Sequence, residues 1–208
     1  MRIAVVQAGL GTPSSSRMLG ERLGAAVRVI EPDAEIVEVS VREVASDVVN
    51  RQLTGVASPA LAAALADVAS ADGLIAVSPV MNGSMGGLFK LFFEVLDEGV
   101  LRDTPVLLGA TGGTVRHTLA IDASMVPLFH YLRARVLPGG VFAATDDWGT
   151  SASLTTRIDE AAAALVAAVR RAAFDDASRP TPLKPVDAQS SDAGLVLEMD
   201  FESMLRDL

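Results

Sequence analysis

The chain has 208 residues, half of them hydrophobic, and a net charge of −9 at pH 7, which suits one folded domain with a tail and argues against a nucleic-acid surface or a polybasic membrane anchor. With no cysteine and two histidines it excludes disulfides, thiolate metal sites and a thiol nucleophile, and it argues against a zinc centre. The apolar run at residues 3–6 is too short for a signal-peptide core, and the nine-residue run at 161–169 is about half of what a bilayer needs, so a soluble cytoplasmic protein is expected.

Ile3-Ala4-Val5-Val6 predicts a first strand, continuously apolar as in a parallel sheet covered on both faces. Ser14, Ser15 and Ser16 offer an N-cap, after which Met18, Leu19, Leu23 and Val27 recur at helical spacing until Pro32. Residues 36–39 predict the second strand, and 41–58 are ambiguous. Leu61, Leu65 and Val68 mark a helix, residues 74–77 the third strand and 88–96 a strongly apolar helix. Residues 105–108 predict the fourth strand, 119–132 a helix ending before Pro138-Gly139-Gly140, 141–143 the fifth strand and 154–173 the last long helix. This alternation predicts an α/β fold, a doubly wound five-stranded parallel sheet of order 2-1-3-4-5. The domain is placed at 1–174, followed by a linker at 175–194 containing Pro180, Pro182 and Pro185. In the final segment, 195–208, Phe201, Met204, Leu205 and Leu208 fall on one helical stripe, which predicts docking on the same or a partner subunit.

In that strand order the loops after strands one, three and four open on one edge, beside the crevice where the order reverses. The first loop, from Gly9 through Ser14, Ser15, Ser16 and Arg17, brings hydroxyls, backbone N–H groups and a guanidinium to a helix start, as a phosphate dianion requires. Gly9-Leu10-Gly11 begins like a dinucleotide fingerprint, but Ser14 replaces the third glycine and Pro13 intrudes; Glu38 as a ribose-binding acid keeps that reading open. The second loop, Ser78-Pro79-Val80-Met81-Asn82-Gly83-Ser84, has small residues that admit a flat ring to the backbone, with Asn82 and Ser84 as donors. No Walker motif surrounds Lys90, which pairs best with Glu94 one turn on. In the third loop Thr111, Gly112, Gly113 and Thr114 offer N–H groups to an electron-rich ring edge, with Arg116 and His117 following; His117 reads best as a packing or capping residue.

These segments, with Leu88-Phe89-Lys90 and Gly140-Val141-Phe142, resemble the NAD(P)H-dependent FMN reductases of the flavodoxin-like superfamily, particularly those that supply reduced flavin to two-component monooxygenases. The resemblance runs from residue 1 to about 173 and implies FMN with NADPH or NADH. It implies that Gly9 and Ser14 to Arg17 hold the phosphate, that Pro79, Val80, Met81, Asn82, Gly83 and Ser84 line the ring and ribityl chain, and that Thr111 to Thr114 and His117 border the pyrimidine edge. It also implies a homodimer or homotetramer with the 88–96 helix at an interface, because Phe89, Phe92 and Phe93 exceed one buried stripe, and a flavin-dependent monooxygenase as possible partner. Relatives place an aromatic where this chain has Met81, and some a tyrosine where it has Ala123. Hydride transfer to flavin N5 by ring alignment assigns no side chain a catalytic proton. A quinone, azo or metal-ion reductase that keeps its FMN, and a flavodoxin-type electron carrier, remain open alternatives.

Overall fold

The computed structural model describes residues 1–149 and 152–177; the expected docking segment and the linker beyond 177 lie outside them. Four long parallel strands, β1 (Arg2–Gln7), β2 (Glu35–Ser40), β3 (Gly73–Met81) and β5 (Pro105–Gly112), stand in the order β2-β1-β3-β5. The fifth position beside β5 is shared by two pieces, β6 (Arg135–Val136) against its start and β7 (Val141–Ala144) against its end. The predicted order holds, but the fifth strand is split. Pro138 has no N–H for the ladder and Gly139 has φ 82°, so the chain leaves the sheet between the two pieces.

Successive residues of the central strands alternate between two apolar layers. Ile3, Val5, Ile75, Val77, Leu107 and Val141 meet α1 (Ser15–Ile30) and α6 (Ala152–Ala177). Ala4, Val6, Leu74, Ala76, Leu108 and Phe142 meet the helices of the other face: α2 (Ala45–Thr54), α3 (Pro59–Ala69), α4 (Gly87–Glu94) and α5 (Val126–Tyr131). The ambiguous 41–58 stretch resolves into α2, closed by Gly55 in the left-handed conformation, and the Ser58 cap of α3. α6 runs to Ala177, so its last three residues occupy the start of the expected linker.

Three local expectations are corrected. The second loop is instead a β-hairpin: β3 continues to Met81 and pairs antiparallel with β4 (Ser84–Met85). Asn82 (φ 50°) and Gly83 (φ 81°) form its two-residue turn, both left-handed as a type I′ turn requires. The single helix at 119–132 is a wide π turn (Ile121–Met125) running into the short α5, because Pro127 lacks the N–H that would continue an ordinary ladder. Finally, Phe89, Phe92 and Phe93 are all buried within the protomer, with ring centroids of Phe93 4.9 Å from Phe89 and 4.8 Å from Phe129. The aromatic excess on α4 therefore fills the core rather than an interface. Among the described residues no single helix is long and apolar enough to cross a membrane.

Candidate functional site

The loops after β1, β3 and β5 leave the same edge of the sheet, where Gln7 stands beside Val77 and Pro79 beside Thr111. Each is shaped by its own sequence.

The first loop folds back tightly on the start of α1. Ser14 is the N-cap, its Oγ accepting from the Arg17 N–H at 3.2 Å. Gly9 leaves the room that this turn uses: a Cβ there would stand 1.8 Å from Ser14 Oγ and 3.2 Å from Ser16 Cβ. Two residues outside the sequence expectation hold the loop. The buried Gln7 carboxamide accepts from the Gly9 N–H at 3.2 Å, and Arg42, just after β2, donates to Thr12 Oγ1 at 2.8 Å. Neither position carries a local signal, since Gln7 reads as the polar end of a strand and Arg42 lies thirty residues on from the atom that it binds. Arg17 is exposed and bonded to Glu21 at 2.8 Å; that bond and the charges of Glu21, Glu38 and Glu43 hold its guanidinium further toward the charged form. A crevice of about 470 Å³ opens over this loop, between Gly9, Ser14 and Arg17 on one side and Ser40, Arg42 and Glu43 on the other.

Ser15 is exposed at the helix start, whereas Ser16 is buried and its hydroxyl bonds to Thr111 Oγ1 at 2.8 Å. The first and third loops are thus brought together through two side chains of the expected ligand-binding set. In the third loop Gly112 packs on Phe142, while a Cβ on Gly113 would meet no heavy atom within 4 Å. Thr114 caps the following turn, accepting from the Arg116 N–H at its Oγ1 and from the His117 N–H at its carbonyl. His117 itself is exposed.

The hairpin between them is closed by Ser78, whose hydroxyl donates to the Pro79 carbonyl at 3.0 Å and accepts from the Gly86 N–H at 2.9 Å. Ser124 accepts from the Met85 N–H, fastening the hairpin base to the π turn. Met81, Asn82 and Gly83 are thereby carried out to an exposed tip, with Val80 and Ser84 partly covered behind it. Apolar side chains without structural cover, Leu10, Met81, Val115 and Leu119, stand exposed on the three loops and the turn that follows the third. Of these only Met81 belongs to the expected set. A larger groove, about 730 Å³, lies elsewhere, between the end of α4 and α5, and none of the three loops lines it. Lys90 there is paired with Glu94, as the spacing predicts.

This architecture matches known proteins. The model of the NADPH-dependent FMN reductase family matches residues 1–149. The chain is 37% identical over 148 residues to an FMN reductase (NADPH) of Pseudomonas aeruginosa, covering 71% of this chain and 78% of that protein. It is 34% identical over 146 residues to the NADH-dependent FMN reductase SfnF of Pseudomonas putida, covering 70% and 78%. An oxidoreductase from Corynebacterium diphtheriae superimposes with a TM-score of 0.78 at 35% identity, covering 82% of this chain and 97% of that one. With the three loops on one edge of a flavodoxin-like sheet and a family match across most of its length, the chain belongs to the NADPH-dependent FMN reductases.

Proposed function

We propose that this enzyme oxidises NADPH or NADH and passes the hydride to FMN, held at the edge where the loops after β1, β3 and β5 meet. The observation that carries this reading is the Ser16–Thr111 bond, which joins a loop shaped for an anion to a loop shaped for a flat ring. The residues fit the cofactor. At the start of α1 the first backbone N–H groups point outward along the helix axis, and Ser14, Ser15 and Arg17 stand around them, a donor set for a phosphate dianion. The open space at Gly113 and the exposed hairpin tip at Asn82 and Gly83 leave backbone accessible to a planar ring. When bound, FMN supplies the hydride acceptor. The protein binds and orients: Ser14, Ser15 and Arg17 fix the phosphate, Pro79 to Ser84 the ring and ribityl chain, and the N–H groups of Thr111 to Thr114 the pyrimidine edge, where donors stabilise the negative charge of reduction. Leu10, Met81, Val115 and Leu119 offer apolar contact around a site into which two stacked rings must exclude water.

The hairpin tip carries Met81 rather than an aromatic residue, so the flavin loses a stacking partner. This favours FMN as a substrate that departs reduced, to be consumed by a flavin-dependent monooxygenase in the cytoplasm, over a permanently bound carrier. A homodimer or homotetramer belongs to the same reading. Desalted protein should be colourless yet oxidise NAD(P)H when FMN is added. A yellow protein retaining one flavin per chain would instead favour the reductases that keep their FMN.

A further inference from the structure

We infer that Ser16 and Thr111 act together as a positioning pair that sets the spacing between the phosphate-holding start of α1 and the ring-holding loop after β5, and that Ser16 is not itself a phosphate ligand. The inference rests on the FMN reading of the site given above.

β1 and β5 are not neighbours: β3 stands between them, so the two strand ends are roughly 9–10 Å apart at ordinary strand spacing. α1, launched from β1, must cross the end of β3 to reach β5, and it touches β5 twice on the same face. At Gly109 a Cβ would stand 3.3 Å from Leu19 Cδ2, so the missing side chain makes room for the helix. Two residues further along β5, and one turn earlier on α1, Thr111 Oγ1 meets Ser16 Oγ at 2.8 Å. The first contact is apolar and would suffice for packing. The second joins the hydroxyls of two residues that are 2% and 4% exposed, where water competes little and each needs the other. A hydrogen bond fixes separation and direction more narrowly than an apolar contact, and this one lies directly beneath the two loops that must hold opposite ends of one ligand.

Burial also separates Ser16 from its neighbours. Ser15 and Arg17 are exposed, whereas the Ser16 hydroxyl is turned into the protein and already bonded. FMN engages both loops, so its affinity depends on their spacing being set before it arrives. Riboflavin, without the phosphate, engages only the ring-holding loop and is indifferent to that spacing.

The test is a double-mutant cycle read by calorimetric titration of FMN and of riboflavin, with Ser16→Ala, Thr111→Val, the double variant and Thr111→Ser. Each single hydroxyl loss should weaken FMN by roughly three- to tenfold, and the double variant should be no worse than about twofold below either single, because one interaction has been removed in all three. Riboflavin affinity should stay within about twofold throughout, and Thr111→Ser, which keeps the hydroxyl, should bind FMN like the unmodified protein. The melting temperature of the double variant should exceed that of Ser16→Ala, which strands a buried Thr111 hydroxyl. Additive losses, or a loss in Ser16→Ala with none in Thr111→Val, would overturn the pairing and make Ser16 a direct phosphate ligand. Failure of the unmodified protein to bind FMN would instead refute the reading of the site itself, a result separate from the outcome of the cycle.

Discussion

Gly9→Ala asks the most of the first loop for the smallest chemical change. The new methyl would stand 1.8 Å from Ser14 Oγ, 3.1 Å from Ser14 Cβ and 3.2 Å from Ser16 Cβ. Ser14 can relieve the first overlap by rotating, but its Oγ then no longer accepts from the Arg17 N–H, and the helix loses its N-cap. Loss of such a cap costs about 1 kcal/mol, and the residual crowding against two Cβ atoms adds about 1 kcal/mol at the low end of overpacking. A protein of this size loses about 2–4 °C in Tm per kcal/mol, so a fall of roughly 4–8 °C is expected by calorimetry or circular dichroism. FMN affinity should fall by more than about tenfold, since the start of α1 must shift to accommodate the methyl. Adding Ser14→Gly removes the clashing oxygen at a cap cost of only a few tenths of a kcal/mol, and should restore most of the Tm without restoring FMN binding. A Gly9→Ala protein with unchanged Tm and unchanged FMN affinity would refute the reasoning.

Gly113→Val tests the converse case: with no atom within 4 Å of the new Cβ, the Tm should move by less than about 1 °C, while FMN-dependent NAD(P)H oxidation collapses because the side chain fills the space left for the ring. Retained activity would place the ring elsewhere. At the hairpin tip, Asn82→Val puts a branched side chain at φ 50° and should destabilise by about 1–2 kcal/mol in urea unfolding, with Asn82→Gly close to neutral; equal stability for the two would contradict the turn geometry. Arg17→Ala should weaken FMN about tenfold and leave riboflavin unchanged in parallel titrations, the effect being limited by solvent and by the competing Glu21; equal losses for both flavins would remove Arg17 from the phosphate site.

The sheet was legible because its central strands are buried on both faces and so read as unbroken apolar runs, and the expected bounds fall within a residue or two of β1, β2 and β7. The hairpin was not, although Asn82-Gly83 is a strong turn signal, because Pro79 argues against a strand. The structure shows why it is tolerated. Val77 offers its carbonyl to the Ala8 N–H on the β1 side, and Pro79, two residues on, faces the same side past the end of that ladder, where no N–H is required. The phenylalanines of α4 misled for a different reason: spacing shows which residues share a face, but Phe129, against which Phe89 and Phe93 pack, comes from α5 and is invisible locally. At the site, Ser14 as a cap followed from its position alone. Gln7, Arg42 and the Ser16–Thr111 pair depend on contacts set by the strand order, with Ser16 and Thr111 separated by 95 positions, and no window along the chain reveals them.

The most direct test of the account is the rate at which the desalted protein oxidises NADPH and NADH, followed by the loss of nicotinamide absorbance, with FMN, with riboflavin and with no flavin added. Oxidation should depend on added flavin, saturate at lower concentration with FMN than with riboflavin, and be near background without flavin. Equal dependence on FMN and riboflavin, or no flavin-dependent oxidation of either nucleotide, would contradict it.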